Sequence, residues 1–260
     1  MRLALAFALA LGASQADACA VDGFTLSPFK ASETVDFETA GMVRRAWFDG
    51  PTTIYDHRIL GRDDEPEVLV VQDTPDGNMC GNRIAAGDGH VFEDTVPRLF
   101  DLDGDGTNEV IVVRTDINRG AQLAVYGVTS GSFGLRAATD YIGTRHRWLA
   151  PAGVADFDGD GRIEITYVDR PHLLRELVFV RLEGDLLVEV ARAPGLTNHR
   201  IGDEGITSAV RRCGGQYEVL LPDAGWSRLM AVRLSGGQVV ARDAGPLEAG
   251  FPGRVPSCRG

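Results

Sequence analysis

Short apolar runs recur along the chain between clusters of glycine, aspartate, asparagine and proline. The runs at residues 68–71, 110–113, 177–180 and 219–221 are rich in valine, leucine and isoleucine. β-Branched residues favour strands, and Gly, Asp and Pro at the boundaries favour tight turns. No window of about eleven residues has the spacing of an amphipathic helix. The pattern therefore predicts an all-β protein.

Two acidic segments repeat with an offset of 55 residues, and each leads into an apolar run. They read DLDGDGTNE over residues 101–109 and DFDGDGRIE over residues 156–164. Residues 65–67 and 216–218 form weaker copies, which keep an acidic residue before the apolar run but lack the loop. A period near 50 residues is typical of propeller blades. We expect a small β-propeller, or a propeller-like array, of about four to five four-stranded blades.

The acidic segments have the composition of calcium-binding loops. Alternating aspartates and a later glutamate supply several of the six to eight oxygen ligands that Ca²⁺ takes, and the glycines allow sharp turns. The predicted ligands are Asp101, Asp103, Asp105, the carbonyl of Thr107 and Glu109 in one loop, and Asp156, Asp158, Asp160, the carbonyl of Arg162 and Glu164 in the other. An EF-hand needs glutamate at position 12, where this chain has Val112 and Tyr167. The sequence thus predicts two Ca²⁺ sites in β-hairpins, with acidic surface turns as the alternative.

These two segments resemble the FG-GAP or VCBS-type repeats of the integrin α-chain N-terminal β-propeller. The family binds calcium through an Asp-x-Asp-x-Asp-Gly-x-x-Asp loop, which implies ligands at the first, third, fifth and ninth positions of each segment. This chain has Glu109 and Glu164 at the ninth position, which moves each carboxylate outward by one methylene. The resemblance covers about residues 95–180.

The N-terminus has the pattern of an export signal. Arg2 precedes an apolar run over residues 3–11, and small-residue cleavage patterns follow at residues 16–18 and 18–20. We expect a signal peptide over residues 1–18, with cleavage after Ala18 or Ala20, and a mature β-propeller domain over residues 21–260. A buried helix and a lipoprotein anchor on Cys19 are the alternatives. No later segment is apolar enough to span a membrane. An exported protein, periplasmic or extracellular, is expected.

Charge and cysteines narrow the classes of partner. The net charge of −11 opposes nucleic-acid and anionic-membrane partners and suits divalent cations. An oxidising compartment permits disulfides, and without a Cys-x-x-Cys pair a zinc site has no support. We expect Cys213 to pair with Cys258, near the C-terminus, and Cys19 with Cys80.

Histidine–arginine pairs also recur, at residues 57–58, 146–147 and 199–200. Arginine forks bind carboxylates and phosphates, and tryptophan offers a flat apolar surface. The predicted ligand-binding residues are His57, Arg58, His146, Arg147, Trp148, His199 and Arg200. The alternative is that these residues only pack between blades.

The sequence contains no Gly-x-Ser-x-Gly, no His-Glu-x-x-His, no phosphate-binding loop and no Gly-x-Gly-x-x-Gly before a helix. The leading interpretation is a calcium-binding propeller that acts as a non-catalytic binding, adhesion or scaffold protein for an unknown protein or carbohydrate ligand. The alternative is a hydrolase or lyase that uses the histidine–arginine face on an anionic or carbohydrate substrate. A pocket in which the three histidines converge would favour the enzyme, whereas a flat face of paired arginines would favour the binding protein.

Overall fold

The computed structural model of the protein describes residues 29, 31–33, 43, 45–73 and 80–258. Its elements are strands, in agreement with the predicted all-β class. The described ranges contain no helix that is long and apolar enough to cross a membrane. The expected signal peptide and Cys19 lie outside the described residues.

Four antiparallel sheets follow one another along the chain. The first consists of β1 (Ala31–Glu33), β2 (Arg45–Thr52), β3 (Glu65–Asp73) and β4 (Cys80–Ala85). The second consists of β5 (His90–Val91), β6 (Arg98–Phe100), β7 (Glu109–Asp116), β8 (Gly120–Thr129) and β9 (Ser132–Ala138). Both β5 and β6 pair with the same side of β7, whose other neighbour is β8.

The third and fourth sheets contain four strands each, hydrogen-bonded in chain order. The third consists of β10 (Leu149–Ala155), β11 (Glu164–Asp169), β12 (Glu176–Glu183) and β13 (Leu186–Pro194). The fourth consists of β14 (Ala209–Cys213), β15 (Gln216–Pro222), β16 (Arg228–Ser235) and β17 (Gln238–Pro246). Sequential hairpins therefore build the third and fourth sheets.

The strand order confirms one of the two weaker repeats and corrects the other. β7, β11 and β15 each occupy the second position along their sheet, so residues 216–218 match the acidic segments in place. β3 is the third strand of the first sheet, so residues 65–67 do not occupy the equivalent position. The twelve-residue connection over residues 53–64 runs within that sheet. An apolar run looks the same in sequence whether it forms the second or the third strand of its sheet.

Apolar clusters fill the space between consecutive sheets. Phe48 of the first sheet stacks on Phe92 after β5, with ring centroids 5.5 Å apart. Buried Ile111 and Ile165 belong to one cluster that joins the second and third sheets. Phe179 belongs to another cluster, which joins the third and fourth sheets. This burial holds the loops at the ends of the strands in fixed relative positions.

Candidate functional site

The first acidic loop connects β6 to β7, as the sequence predicts for a hairpin. Asp101 Oδ1 accepts a hydrogen bond from Gly104 N at 2.8 Å, and its Oδ2 accepts one from Gly106 N at 3.0 Å. Asp105 Oδ1 accepts one from Thr107 N at 2.7 Å. Gly104 and Gly106 have φ angles of 76° and 85°, which side chains with a Cβ adopt only with strain. The alternating glycines are therefore what allows the loop to curl around its aspartates.

The second acidic loop, between β10 and β11, repeats this network. Asp156 Oδ1 accepts from Gly159 N at 2.6 Å, and its Oδ2 accepts from Gly161 N at 3.0 Å. Asp160 Oδ1 accepts from Arg162 N at 2.8 Å. Two segments of different sequence context thus fold into one hydrogen-bonding pattern, because the pattern uses only local residues.

The glutamate at the ninth position of each loop accepts a hydrogen bond from the backbone of the second position. Glu109 is buried, and its Oε2 accepts from Leu102 N at 3.0 Å. Glu164 is buried too, and its Oε2 accepts from Phe157 N at 2.9 Å. Burial raises the pKa of both carboxyl groups. The extra methylene of glutamate relative to aspartate lets the side chain reach back to the second residue of the loop.

An arginine that sequence reasoning missed lies beside each loop. Arg136 on β9 donates Nη1 to Glu109 Oε1 and Nη2 to Asp103 Oδ2, both at 2.7 Å. Arg181 on β12 donates to Glu164 Oε1 and, at 3.2 Å, to Asp158 Oδ2. The two arginines come from different strand positions, so no register or spacing in the sequence marks them.

Three carboxylates meet at each loop within reach of one cation. The groups are Asp101, Asp103 and Glu109, and Asp156, Asp158 and Glu164, with one ligand oxygen from each residue within 4.8 Å of the others. Two oxygens bound to one Ca²⁺ at roughly 2.4 Å lie at most about 4.8 Å apart, so these separations are compatible with one shared ion. The oxygen-only donor set also suits a hard cation.

Of the remaining predicted ligands, Asp105 and Asp160 stand in the same loops but outside these groups of three. Their carboxylates bond the backbone two residues further on. The carbonyls of Thr107 and Arg162 remain predicted ligands.

A separate pocket, which we call the histidine pocket, lies where four loops come together. The loops join β2 to β3, β9 to β10, β11 to β12, and β13 to β14. The backbone of Gly202 donates to the carbonyl of Ile59 at 3.1 Å, which ties the first of these loops to the last. The cavity has a volume of about 180 Å³ and is lined by His57, Ile59, His146, Arg147, Trp148, Arg170, His172, Leu173 and Ile201.

Aromatic contacts link the histidines around this pocket. His57 stacks on His146 with ring centroids 5.0 Å apart. The rings of Trp148 and His199 are in an edge-to-face arrangement with centroids 4.8 Å apart, and His199 Nδ1 lies 3.2 Å from His172 Nε2. His57 Nδ1 lies 2.5 Å from Oε1 of the fully buried Glu93, which holds the imidazole in place.

Of the seven sequence-predicted ligand residues, four belong to the lining of the histidine pocket and three lie outside it. His57, His146, Arg147 and Trp148 line the histidine pocket, whereas His199 lies buried behind Trp148. The other two predicted residues lie outside the pocket lining and have other partners. Arg58 pairs with Asp63 at 2.9 Å, and Arg200 lies over the ring of Trp226 at 4.1 Å.

The three recurring His–Arg pairs do not occupy equivalent positions in the topology. His146 and His199 lie on connections between sheets, but His57 lies on the loop within the first sheet. The counterpart of His57 is His172, on the loop between the second and third strands of the third sheet. His172 is not among the sequence-predicted ligand residues, because it lies outside the repeated His–Arg pairs.

Comparison with known proteins agrees with the loop geometry. No curated protein matched the chain. A family model described as an FG-GAP-like repeat matches residues 101–166, a segment that runs from the first residue of one acidic loop through the whole of the other. Residues 101–166 are therefore an FG-GAP-like repeat segment, as the resemblance of the two acidic loops implies.

Proposed function

We propose that this chain is an exported protein in which two Ca²⁺ ions stabilise a β-propeller-like array of four sheets, and that it acts as a binding, adhesion or scaffold module. The observation that carries the proposal is the pair of acidic loops with matching hydrogen bonds, each presenting three carboxylates within 4.8 Å. The consecutive sheets and the FG-GAP-like repeat support the propeller-like arrangement. Its ligand would be a protein or a carbohydrate.

In this proposal, the bound Ca²⁺ ions stabilise the fold and take no part in catalysis. Ca²⁺ supplies positive charge that offsets the repulsion between clustered carboxylates. Asp101 and Asp103 belong to the loop, whereas Glu109 begins β7, so the group joins the loop to the sheet. The second group does the same at the start of β11. The Cys213–Cys258 disulfide supports an extracytoplasmic location, where such bonds persist.

Calcium removal tests this proposal. At about 1 mM Ca²⁺ and a Kd of about 0.1 mM, each site would stabilise the fold by about 1.4 kcal/mol. We expect a chelator to lower the melting temperature, and Asp103→Ala with Asp158→Ala to abolish that effect. The matched control is Asp63→Ala with Asp140→Ala, which removes two exposed carboxylates outside the loops. Wild-type protein that melts identically with calcium and with chelator would contradict the proposal.

A catalytic role is the second candidate. The observation in its favour is the His57–Glu93 contact inside a pocket, since a buried carboxylate can orient an imidazole as a general base. Arg58 pairs with Asp63, and Arg200 lies over the ring of Trp226. Because both guanidiniums already have partners, they favour the non-catalytic interpretation. Turnover of a carboxylate or phosphate ester that His57→Gln abolishes would support the enzyme. Ligand binding without turnover would support the binding module.

A further inference from the structure

The histidine pocket is separate from the calcium loops, and its lining contains two arginines. Arg170 donates Nε to Asp169 Oδ1 at 2.8 Å and Nη2 to Asp169 Oδ2 at 2.9 Å, so the carboxylate balances its charge. Arg147 donates Nη1 to the carbonyl of His146 at 2.9 Å, and no carboxylate among the described residues forms an ion pair with it. Arg147 is therefore the uncompensated positive charge of the pocket lining.

Two imidazoles of the pocket lining, His57 and His172, act as neutral polar groups. Burial lowers the pKa of His57 and of His172 to about 4, so both rings are uncharged at neutral pH. A neutral imidazole offers one donor and one acceptor nitrogen. The pocket thus combines the unpaired guanidinium of Arg147 with two neutral hydrogen-bonding rings, those of His57 and His172.

The backbone that carries Arg147 is held rigidly. Ala121 N donates to the carbonyl of Arg147 at 2.9 Å, and His146 N donates to the hydroxyl of buried Tyr55 at 3.1 Å. A Cβ at Gly120 would lie 2.4 Å from the carbonyl oxygen of Thr144, so only glycine permits this close approach. A site whose groups are already fixed loses less entropy when a ligand binds.

Strained backbone also borders the pocket. His146 and Arg170 have φ angles of 57° and 45°, in the left-handed region that side chains other than glycine rarely adopt. Such strain persists only where surrounding structure enforces it, and it clusters at ligand sites. Here it lies on two residues of the pocket lining, on separate loops.

The mouth of the pocket is apolar. Leu173 is 63% exposed and Ile201 is 71% exposed, and both line the cavity. Trp148 forms a buried wall of the same cavity. The cavity of about 180 Å³ has room for about six water molecules, which is enough for a small organic group.

We propose that the histidine pocket binds a small organic anion, with its carboxylate or phosphate on Arg147 and its apolar portion against Leu173, Ile201 and Trp148. The anion supplies the negative partner for the guanidinium of Arg147. It accepts hydrogen bonds from that guanidinium and from donor imidazole nitrogens. The apolar portion covers two aliphatic side chains that otherwise face water.

The test is isothermal titration with four probes in calcium-saturated buffer. Hexanoate and hexyl phosphate distinguish the two head groups, inorganic phosphate tests the charge alone, and hexanol tests the apolar part alone. We expect a six-carbon anion to bind more tightly than hexanol. Arg147→Gln should weaken that binding by about tenfold or more, because a hydrogen-bonded charge is lost. The control is Arg200→Gln, which changes an arginine outside the pocket lining and should leave the binding of the six-carbon anion unchanged.

Two further variants keep the outcome decisive. Leu173→Ser changes an exposed side chain, so it should fold normally, and it should weaken the six-carbon anions more than inorganic phosphate. Asp103→Ala with Asp158→Ala should still bind the probe, which separates failure of this pocket from failure of the calcium proposal. The proposal is overturned if neither six-carbon anion binds the wild type, or if Arg147→Gln binds equally well. If that variant does not fold, unchanged binding by Leu173→Ser overturns it.

Discussion

At the scale of single residues, each acidic loop depends on an arginine from elsewhere in its sheet. Glu109 and Glu164 are buried carboxylates, and Arg136 and Arg181 contact them. A buried charge without a partner is costly, so the arginine stabilises the loop whether or not a cation is bound. The same arginines also contact loop aspartates, so a cation at those carboxylates would share them with a guanidinium.

Replacing Arg181 by methionine tests this balance. Arg181→Met leaves the carboxylate of Glu164 buried without its charged partner, which should destabilise the chelator-treated protein by about 3 kcal/mol. Calcium should restore part of the loss, because it also neutralises that carboxylate. Thermal unfolding should therefore show a larger difference between calcium and chelator than in the wild type. The control is Arg192→Met, which removes a surface arginine paired with Glu176 and Glu189. An unchanged difference in Arg181→Met would contradict the argument.

At the scale of elements, the acidic loop is a unit that its own residues specify. The aspartates bond backbone N–H groups within five residues, and the glycines supply the left-handed conformations. Nothing lies within 4 Å of a Cβ built at Gly161, whose φ is 87°, so only the backbone conformation favours glycine there. This local specification explains why the loop could be predicted from nine residues of sequence.

A pair of glycine substitutions tests that explanation. Gly161→Ala should lower the free energy of unfolding by about 1–2 kcal/mol, because alanine is strained in the left-handed region. Gly134 lies in β9 with a Cβ position equally open, and its φ is outside that region. Gly134→Ala should thus be neutral or slightly stabilising. Urea unfolding of both variants in calcium buffer is the measurement, and equal losses would refute the local explanation.

At the scale of the whole molecule, the C-terminal tail is attached to the fourth sheet. Cys213 at the end of β14 forms a disulfide with Cys258, as the sequence analysis expects. Arg211 adds a hydrogen bond to the carbonyl of Pro256 at 2.6 Å. The Cys213–Cys258 disulfide joins residues with a sequence separation of 45, so it restricts the conformations of the unfolded chain substantially. The Cys19–Cys80 pairing stays a prediction, because Cys19 and the side chain of Cys80 lie outside the described part of the chain.

Removing the disulfide should cost stability without changing the pocket. Cys258→Ser should lower the free energy of unfolding by up to about 4 kcal/mol in the chain-entropy model. The neighbouring Ser257→Ala is the control, because Ser257 contacts Arg211 through its carbonyl oxygen. Urea unfolding measures the difference, and non-reducing peptide mapping should recover Cys213 joined to Cys258. Recovery of Cys258 as a free thiol would rule this pairing out.

The sequence by itself determined the all-β class, the two acidic loops and their place before apolar strands. Each of these features depends on spacings of a few residues, where composition dictates backbone conformation directly. The tertiary structure decided which distant residues complete the sites. Arg136 lies 27 residues from Glu109, and Arg181 lies 17 residues from Glu164. The histidine pocket joins loops within the first and third sheets to the connections between the second and third and between the third and fourth sheets. Packing between sheets, rather than spacing along the chain, therefore brings His57 and His146 together.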